Sequence, residues 1–328
     1  MRYRNIGDSD LKVSVTGIGC AILSGAYGPR DEEKAAKAVR SALDLGITYF
    51  DSSDAYGNGH NEEFLRQTLG NEMSQVVVGT KFGNIRGPNG ERGGTNGNPD
   101  YVPVACEASL KRLGVDTIDL YTLHRIDPEV PIEDTVGAMG RLVEEGKVRY
   151  IGLCEASADT LKRASQVAKI STLQMEYSLW TRDVEADILP ACRKLGIEFV
   201  AYAPLGRGFL AGTIRTTDDI AEDDRRNDHP RFHEENLNKN VELLRALDGI
   251  AGGRGVTPSQ VALAWLMSRG EDILPIPATL NPLHMNENVE AAELSLNDGE
   301  LAKLDQAFPP GVTAGTRYPE KQMHLMAQ

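Results

Sequence analysis

The chain has 328 residues, with 35 basic and 48 acidic side chains and a formal net charge of −13, a balance that argues against nucleic acid or an anionic membrane as partner. Its composition, 41% hydrophobic and 25% charged, is that of a soluble globular protein whose core needs no disulfide or metal staple. The four cysteines, Cys20, Cys106, Cys154 and Cys192, nowhere form a C-x-x-C pair, which excludes a zinc ribbon or a thioredoxin-type motif and suits a reducing compartment.

The polar amino terminus has no apolar signal region and no apolar run reaches membrane-span length, so a cytoplasmic location is expected. Residues 3–6 and 12–15 flank Gly7-Asp8-Ser9-Asp10 and predict a β-hairpin. A first strand follows at 16–19. Residues 32–45 have helical spacing through Ala35, Ala36, Val39, Ala42 and Leu43, and stop at Gly46. The pattern then repeats, with strands at 48–51, 76–81, 120–124, 151–154, 171–175, 198–202 and 273–276. Helices at 61–69, 102–113, 132–145 and 258–268 lie among them. Gly46, Gly114, Gly146 and Gly196 mark four helix-to-strand junctions. Strands alternating with helices imply a parallel sheet, and eight of them predict one closed (β/α)8 TIM barrel with an N-terminal β-hairpin, a single domain over 1–328. An open doubly wound sheet is the alternative.

Two stretches break the rhythm. Residues 83–99, rich in Gly, Asn and Pro, follow the third strand and read as a surface loop or a substrate loop. Residues 213–236 follow the seventh strand and carry Arg215, Arg225, Arg226 and Arg231 among acids. They read as a solvated run or a lid over a bound cofactor.

The ends of the strands hold the chemistry. Asp51 closes the second, Lys81 the third and His124 the fourth, and Tyr56 follows in the segment Asp51-Ser-Ser-Asp-Ala-Tyr56-Gly57. In a barrel these converge on one face. A lysine cation favours the phenolate of a nearby tyrosine, which makes the phenol a better acid. A carboxylate keeps the lysine charged and oriented, and a histidine orients a carbonyl oxygen. The set suits protonation of a developing alkoxide but has no hydride source, so a nicotinamide is required.

At this point the sequence resembles the aldo-keto reductase superfamily. The resemblance runs from near Arg2 to near Asn288. It rests on Asp51-x4-Tyr56-Gly57, Lys81-Phe82-Gly83, Ala108 to Gly114 with Asp119-Leu120-Tyr121, Gly146 to Gly152, and Ala203-Pro204-Leu205-Gly206-Arg207-Gly208. Residues 107–157 look like the bacterial and plant branch that includes perakine-type reductases. The resemblance implies a reversible reduction of an aldehyde or ketone, with Tyr56 as general acid, Asp51 and Lys81 as its ion pair, and His124 orienting the substrate. It implies that Tyr202 stacks on nicotinamide, with Gly19, Cys20, Asp51, Cys154, Glu155 and Gln174 around the same end of the cofactor. Ala203, Pro204, Leu205, Gly206, Arg207 and Gly208 match the pyrophosphate loop, and Ala278, Thr279, His284, Glu287 and Asn288 the adenosine end. NADPH (NADP+) is the implied cofactor and NADH the alternative, because residues 276–288 lack the usual arginine or lysine and His284 stands where arginine is frequent. Cys154-Glu155 replaces a frequent Ser-Asn.

Rival readings are weaker. Gly17-Ile18-Gly19 lacks the third glycine of a Rossmann fingerprint, and no P-loop is present. His229 and His233 stand four apart without the glutamate of H-E-x-x-H, so no metal is expected. The superfamily also includes potassium-channel β subunits, which makes a cofactor-binding regulatory subunit the alternative to an enzyme. The expected partner is a small-molecule carbonyl substrate. Oligomeric state has no sequence signal.

Overall fold

Strands of two to seven residues with a two-residue alternation can bury one face inside a ring and the other beneath helices. In the computed structural model, which describes residues 1–87 and 90–326, the barrel strands are Ile18–Gly19, Tyr49–Asp51, Val77–Phe82, Ile118–Leu123, Val148–Cys154, Ile170–Glu176, Glu198–Tyr202 and Ile273–Pro275. Each pairs in parallel with the next. The Gly17 N–H donates to the Pro275 carbonyl (2.9 Å) and the Gly19 N–H to that of Pro277 (3.1 Å), so the first and eighth strands meet and the barrel closes. The open-sheet alternative is thereby excluded.

The hairpin, Tyr3–Asn5 with Lys12–Ser14, plugs the N-terminal mouth. Its Ile6, Leu11 and Val13 pack with Tyr49, Val77, Leu120, Val200 and Leu274 in one buried cluster. Glu198, at the start of the seventh strand, is held by Arg4 and by the Gly7 N–H (3.1 Å). Tyr49 fills the barrel axis because two glycines leave it room. A Cβ on Gly17 would fall 2.6 Å from the Tyr49 ring, and one on Gly79 2.8 Å from its hydroxyl. Phe50, Val78, Tyr121 and Phe199, one residue out of phase, belong instead to the outer core beneath the helices.

The same parity positions the site. Two residues beyond Tyr49 is Asp51 and two beyond Gly79 is Lys81; Cys154 ends the fifth strand opposite Gln174, and Tyr202, two residues beyond the inward Val200 that pairs with Gln174, ends the seventh. The predicted junction glycines Gly46, Gly114, Gly146 and Gly196 all adopt left-handed φ, which returns each helix to the next strand.

The stretch 83–99 is more ordered than a loop. Asn84–Arg86 pairs antiparallel with Arg92–Thr95, and Pro88 and Asn89 lie outside the described residues. Its base is fastened by the Gly97 N–H to Asp127 Oδ2 (2.8 Å) and by Thr135 Oγ1 to the Gly97 carbonyl (2.6 Å). Among the described residues no helix is long and apolar enough to cross a membrane.

Candidate active site

The turn after the second strand is tied down before Tyr56 is reached. The Ser52 N–H donates to the Gly79 carbonyl (2.7 Å) and the Asp54 N–H to that of Lys81 (3.0 Å), which prolongs the pairing of the second and third strands. Asn61, at the start of the following helix, accepts from Ser52 Oγ (2.7 Å) and donates to the Cys20 carbonyl (2.8 Å).

Lys81 Nζ uses its three N–H groups on Asp51 Oδ1 (2.5 Å), the Ser52 carbonyl (2.7 Å) and the Tyr56 hydroxyl (3.3 Å). Asp51 Oδ2 accepts from Gln174 Nε2 (2.7 Å) and the Tyr49 hydroxyl (3.3 Å). Asp51 and Lys81 are both buried. Burial disfavours the lysine charge, yet the Asp51 carboxylate outweighs it and holds the ammonium above its ordinary range. Burial likewise pushes the Tyr56 phenol up to about 12, with Lys81 pulling in the other direction. The lysine therefore acts in the direction that its placement beside the tyrosine suggests, against a larger desolvation.

His124 follows the fourth strand and meets the Tyr56 ring edge-on, with centroids 5.7 Å apart. Its Nδ1 lies 2.9 Å from Ser53 Oγ. Burial, then the charges of Lys81 and Arg125, hold the imidazole well below its usual range, so it is neutral at physiological pH. Asp51, Tyr56, Lys81 and His124 thus come together on the C-terminal face.

Around them lies a second layer. Cys154 ends the fifth strand with its thiol pushed up to about 12 by burial, which keeps it protonated. Glu155 is buried with a left-handed φ of 51°. It accepts from the Tyr202 hydroxyl (2.7 Å) and from Arg317 (3.3 Å on each oxygen). Tyr202 also lies 3.2 Å from the Tyr318 hydroxyl. Glu176 is paired with Arg207 (2.9 Å) and Arg231 (3.5 Å). Burial alone would raise its pKa, but Arg207, Arg231 and Arg317 outweigh it and hold the carboxyl at about 2. Ser53, Glu176, Arg317 and Tyr318 carried no assignment from the sequence. Glu176 shares the inward parity of Gln174 and had that signal. Arg317 and Tyr318 reach the site from a distant tail and had none.

The 203–208 loop is a run of unusual backbone. Ala203, Gly206, Arg207 and Gly208 all have positive φ, and Pro204 is buried between them. The Leu205 carbonyl accepts from the N–H groups of Gly208 (3.0 Å) and Leu210 (3.1 Å). A Cβ on Gly206 would sit 2.8 Å from the Trp180 ring. Among the described residues, three of the four non-glycine residues with positive φ, Glu155, Ala203 and Arg207, lie on this face, a concentration of strain typical of functional sites. Residues 213–236 are stitched to it. Arg226 pairs with Asp224, donates to the Arg207 carbonyl (3.2 Å) and stacks on Tyr27. Arg215 pairs with Asp248, and Arg231 with Glu176.

After the eighth strand Ala278 is exposed, while Thr279 is buried and accepts the Asn281 N–H (3.0 Å). Asn281 caps the helix Pro282–Glu290. On that helix His284 is exposed, Glu287 half-buried and Asn288 buried, and Asn288 Nδ2 has no hydrogen-bond partner. Gly19 registers with Asp51, and Cys20 is buried beside it. These donors fit a dinucleotide. An orphaned buried amide suits a nucleobase acceptor, and a run of left-handed backbone with arginines suits an anion. Among the described residues no group of three His, Cys, Asp or Glu side chains gathers as a metal site. His229 and His233 each bond a backbone carbonyl, of Arg317 (2.9 Å) and Asn227 (3.1 Å).

Residues 16–308 match the Aldo/keto reductase family. The chain is 42% identical over 315 residues to a probable aldo-keto reductase of Glycine max, covering 95% of this chain and 90% of that protein. It is similar in structure to a glycerol dehydrogenase from Gluconobacter oxydans, with a TM-score of 0.83 and 26% identity over 94% of this chain and 96% of the other. An aldo-keto reductase from Klebsiella pneumoniae, solved in complex with NADPH, gives a TM-score of 0.74 and 27% identity over 97% and 99%.

Proposed function

Because this chain belongs to the aldo/keto reductase family, we propose that it is an NADPH-dependent carbonyl reductase that interconverts an aldehyde or ketone and its alcohol, with Tyr56 exchanging the proton. The observation that carries this reading is the contact of Tyr56 with Lys81, itself fixed on Asp51.

As a carbonyl is reduced, negative charge grows on its oxygen. Tyr56 delivers its proton to that oxygen. The ammonium of Lys81 stabilises the phenolate left behind, and the buried setting strengthens that attraction. Asp51 keeps Lys81 charged and in place. Neutral His124, with Nδ1 engaged by Ser53, offers its Nε2–H to the same oxygen. In alcohol oxidation the roles reverse, and the phenolate takes the proton.

When bound, NADPH supplies the hydride. The residues proposed to hold it are Tyr202, Gly19, Cys20, Cys154, Glu155 and Gln174 at the nicotinamide. The 203–208 loop serves the pyrophosphate, and Ala278, Thr279, His284, Glu287 and Asn288 the adenosine end. Gln174 spends its amide nitrogen on Asp51, which leaves its carbonyl oxygen for a carboxamide N–H.

The test is the purified protein with NADPH and a panel of simple aldehydes and ketones. Cofactor oxidation matched by alcohol formation is expected. Tight NADPH binding with no turnover of any carbonyl would contradict the reading.

A further inference from the structure

Several arginines around the C-terminal face of the barrel are paired with acids. Arg207 and Arg231 hold Glu176, Arg317 holds Glu155 and Arg226 holds Asp224. Arg125 is different. It follows His124 directly and is partly buried, and its Nη1 donates to the His124 carbonyl (2.7 Å). Among the described residues no carboxylate forms an ion pair with it, although acids outnumber bases 48 to 35 in the chain.

Its hydrogen bond to the His124 carbonyl places it beside the histidine whose ring meets Tyr56. Its charge acts on His124 and on Cys154, Glu155, Tyr202 and Tyr318. The one carboxylate among these, Glu155, is already bonded to Tyr202 and Arg317. A second cation, Arg86 on the arm after the third strand, acts on His124 as well. Its neighbours keep the guanidinium of Arg125 charged against burial, and a partly buried guanidinium to which no carboxylate is bonded suits a ligand that brings one. The cofactor's anionic groups have other proposed places, in the 203–208 loop and the segment after the eighth strand.

We infer that Arg125 is a specificity-determining residue that binds a carboxylate on the substrate, so that the substrate class is carbonyl compounds bearing a carboxylate, the oxo acids and carboxy-aldehydes. This inference rests on the carbonyl-reductase reading above. The chemistry is the same two-electron reduction. Hydride passes from NADPH to the carbonyl carbon and a proton from Tyr56 to its oxygen, giving the hydroxy acid and NADP+. The planar fork of arginine matches a carboxylate in a way that lysine does not.

The experiment uses the full-length enzyme with two matched pairs, 2-carboxybenzaldehyde against benzaldehyde and 4-oxobutanoate against butanal. Wild type should favour the charged member of each pair in kcat/KM, and the preference should shrink as salt rises. In Arg125→Met the charged-to-neutral ratio should fall on the order of 10- to 100-fold, chiefly through KM, with Arg125→Lys retaining part of it. The salt dependence in wild type keeps the inference testable if the variants fold poorly. Turnover of benzaldehyde and butanal with no preference for the charged partners would overturn the inference and leave the reductase reading standing. No turnover of any of the four would sink both. An unchanged ratio with weakened NADPH binding in Arg125→Met would assign the arginine to the cofactor and overturn the inference.

Discussion

Lys81 and Tyr56 meet across 3.3 Å with the lysine as donor. An ammonium can only donate, so the phenol oxygen accepts and its own proton points elsewhere. The other two N–H groups of Lys81 go to Asp51 and the Ser52 carbonyl, so the cation cannot turn away from the phenol without losing both. The pair is therefore arranged in the resting protein to release a proton outward and to hold the charge that remains.

Removing the cation tests this directly. In Lys81→Met the Tyr56 phenol, already at about 12 through burial, loses the charge that opposes burial and moves higher. Alcohol oxidation needs the phenolate, so the basic limb of its pH–rate profile should shift to higher pH. Reduction should slow by roughly 10²-fold. Asp51 would be left buried and unpaired, so Asp51→Asn/Lys81→Met serves as the folding control. An unmoved limb would mean that another group titrates.

Ser53 is placed to set the tautomer of His124. Its hydroxyl has one proton and three acceptors in reach, His124 Nδ1 at 2.9 Å and both Asp54 Oδ1 and the Lys81 carbonyl at 3.3 Å. Donation to the closest leaves the hydrogen on Nε2, where a carbonyl oxygen can use it. Ser53→Ala should lower kcat for reduction about tenfold, the effect of one hydrogen bond. Because the imidazole is held well below its ordinary range, reduction should show no histidine limb near pH 6.5. A rate that tracks protonation there would contradict a neutral donor.

Asp54 carries a stability signature. Burial, then the charge of Glu62, raises its carboxyl from 3.8 to about 7. A carboxyl raised on folding favours the folded state while it stays protonated. That contribution is present below about pH 4 and is lost as pH climbs to about 7. Asp54→Asn should accordingly raise Tm at pH 8, by roughly 2 °C, and give no gain near pH 4. Equal effects at both pH values in thermal melts would show that the carboxyl titrates normally.

Discrimination between the two nicotinamide cofactors should be modest. Three arginines of residues 213–236 are committed to Asp248, Asp224 and Glu176, and the helix after the eighth strand offers an exposed His284. His284→Arg should shift the ratio of dissociation constants toward NADPH by about tenfold. If wild type already rejects NADH strongly and the substitution changes nothing, the 2′-phosphate is held elsewhere, and Arg225 is the next residue to replace.

Much of the site is legible in the sequence because it sits where a simple rule breaks. Asp51, Lys81 and His124 are ionisable groups that close apolar strands, and a two-residue period sends Asp51 and Lys81 inward along with Gln174 and Tyr202. What is not legible depends on tertiary proximity. Arg317 reaches Glu155 from 162 residues away, and no local pattern foretells it. The 84–95 arm hides for another reason. Its pairing is made by backbone groups, and glycines supply no alternation to read.

The most direct test of the central claim is the Tyr56→Phe enzyme, compared with wild type for NADPH dissociation constant and for single-turnover reduction of an aldehyde. The account predicts an NADPH affinity close to that of wild type and a reduction rate lower by roughly 10²-fold or more, since only the exchangeable proton is removed. Reduction at a near-normal rate by Tyr56→Phe would contradict it, because the proton would then come from another group.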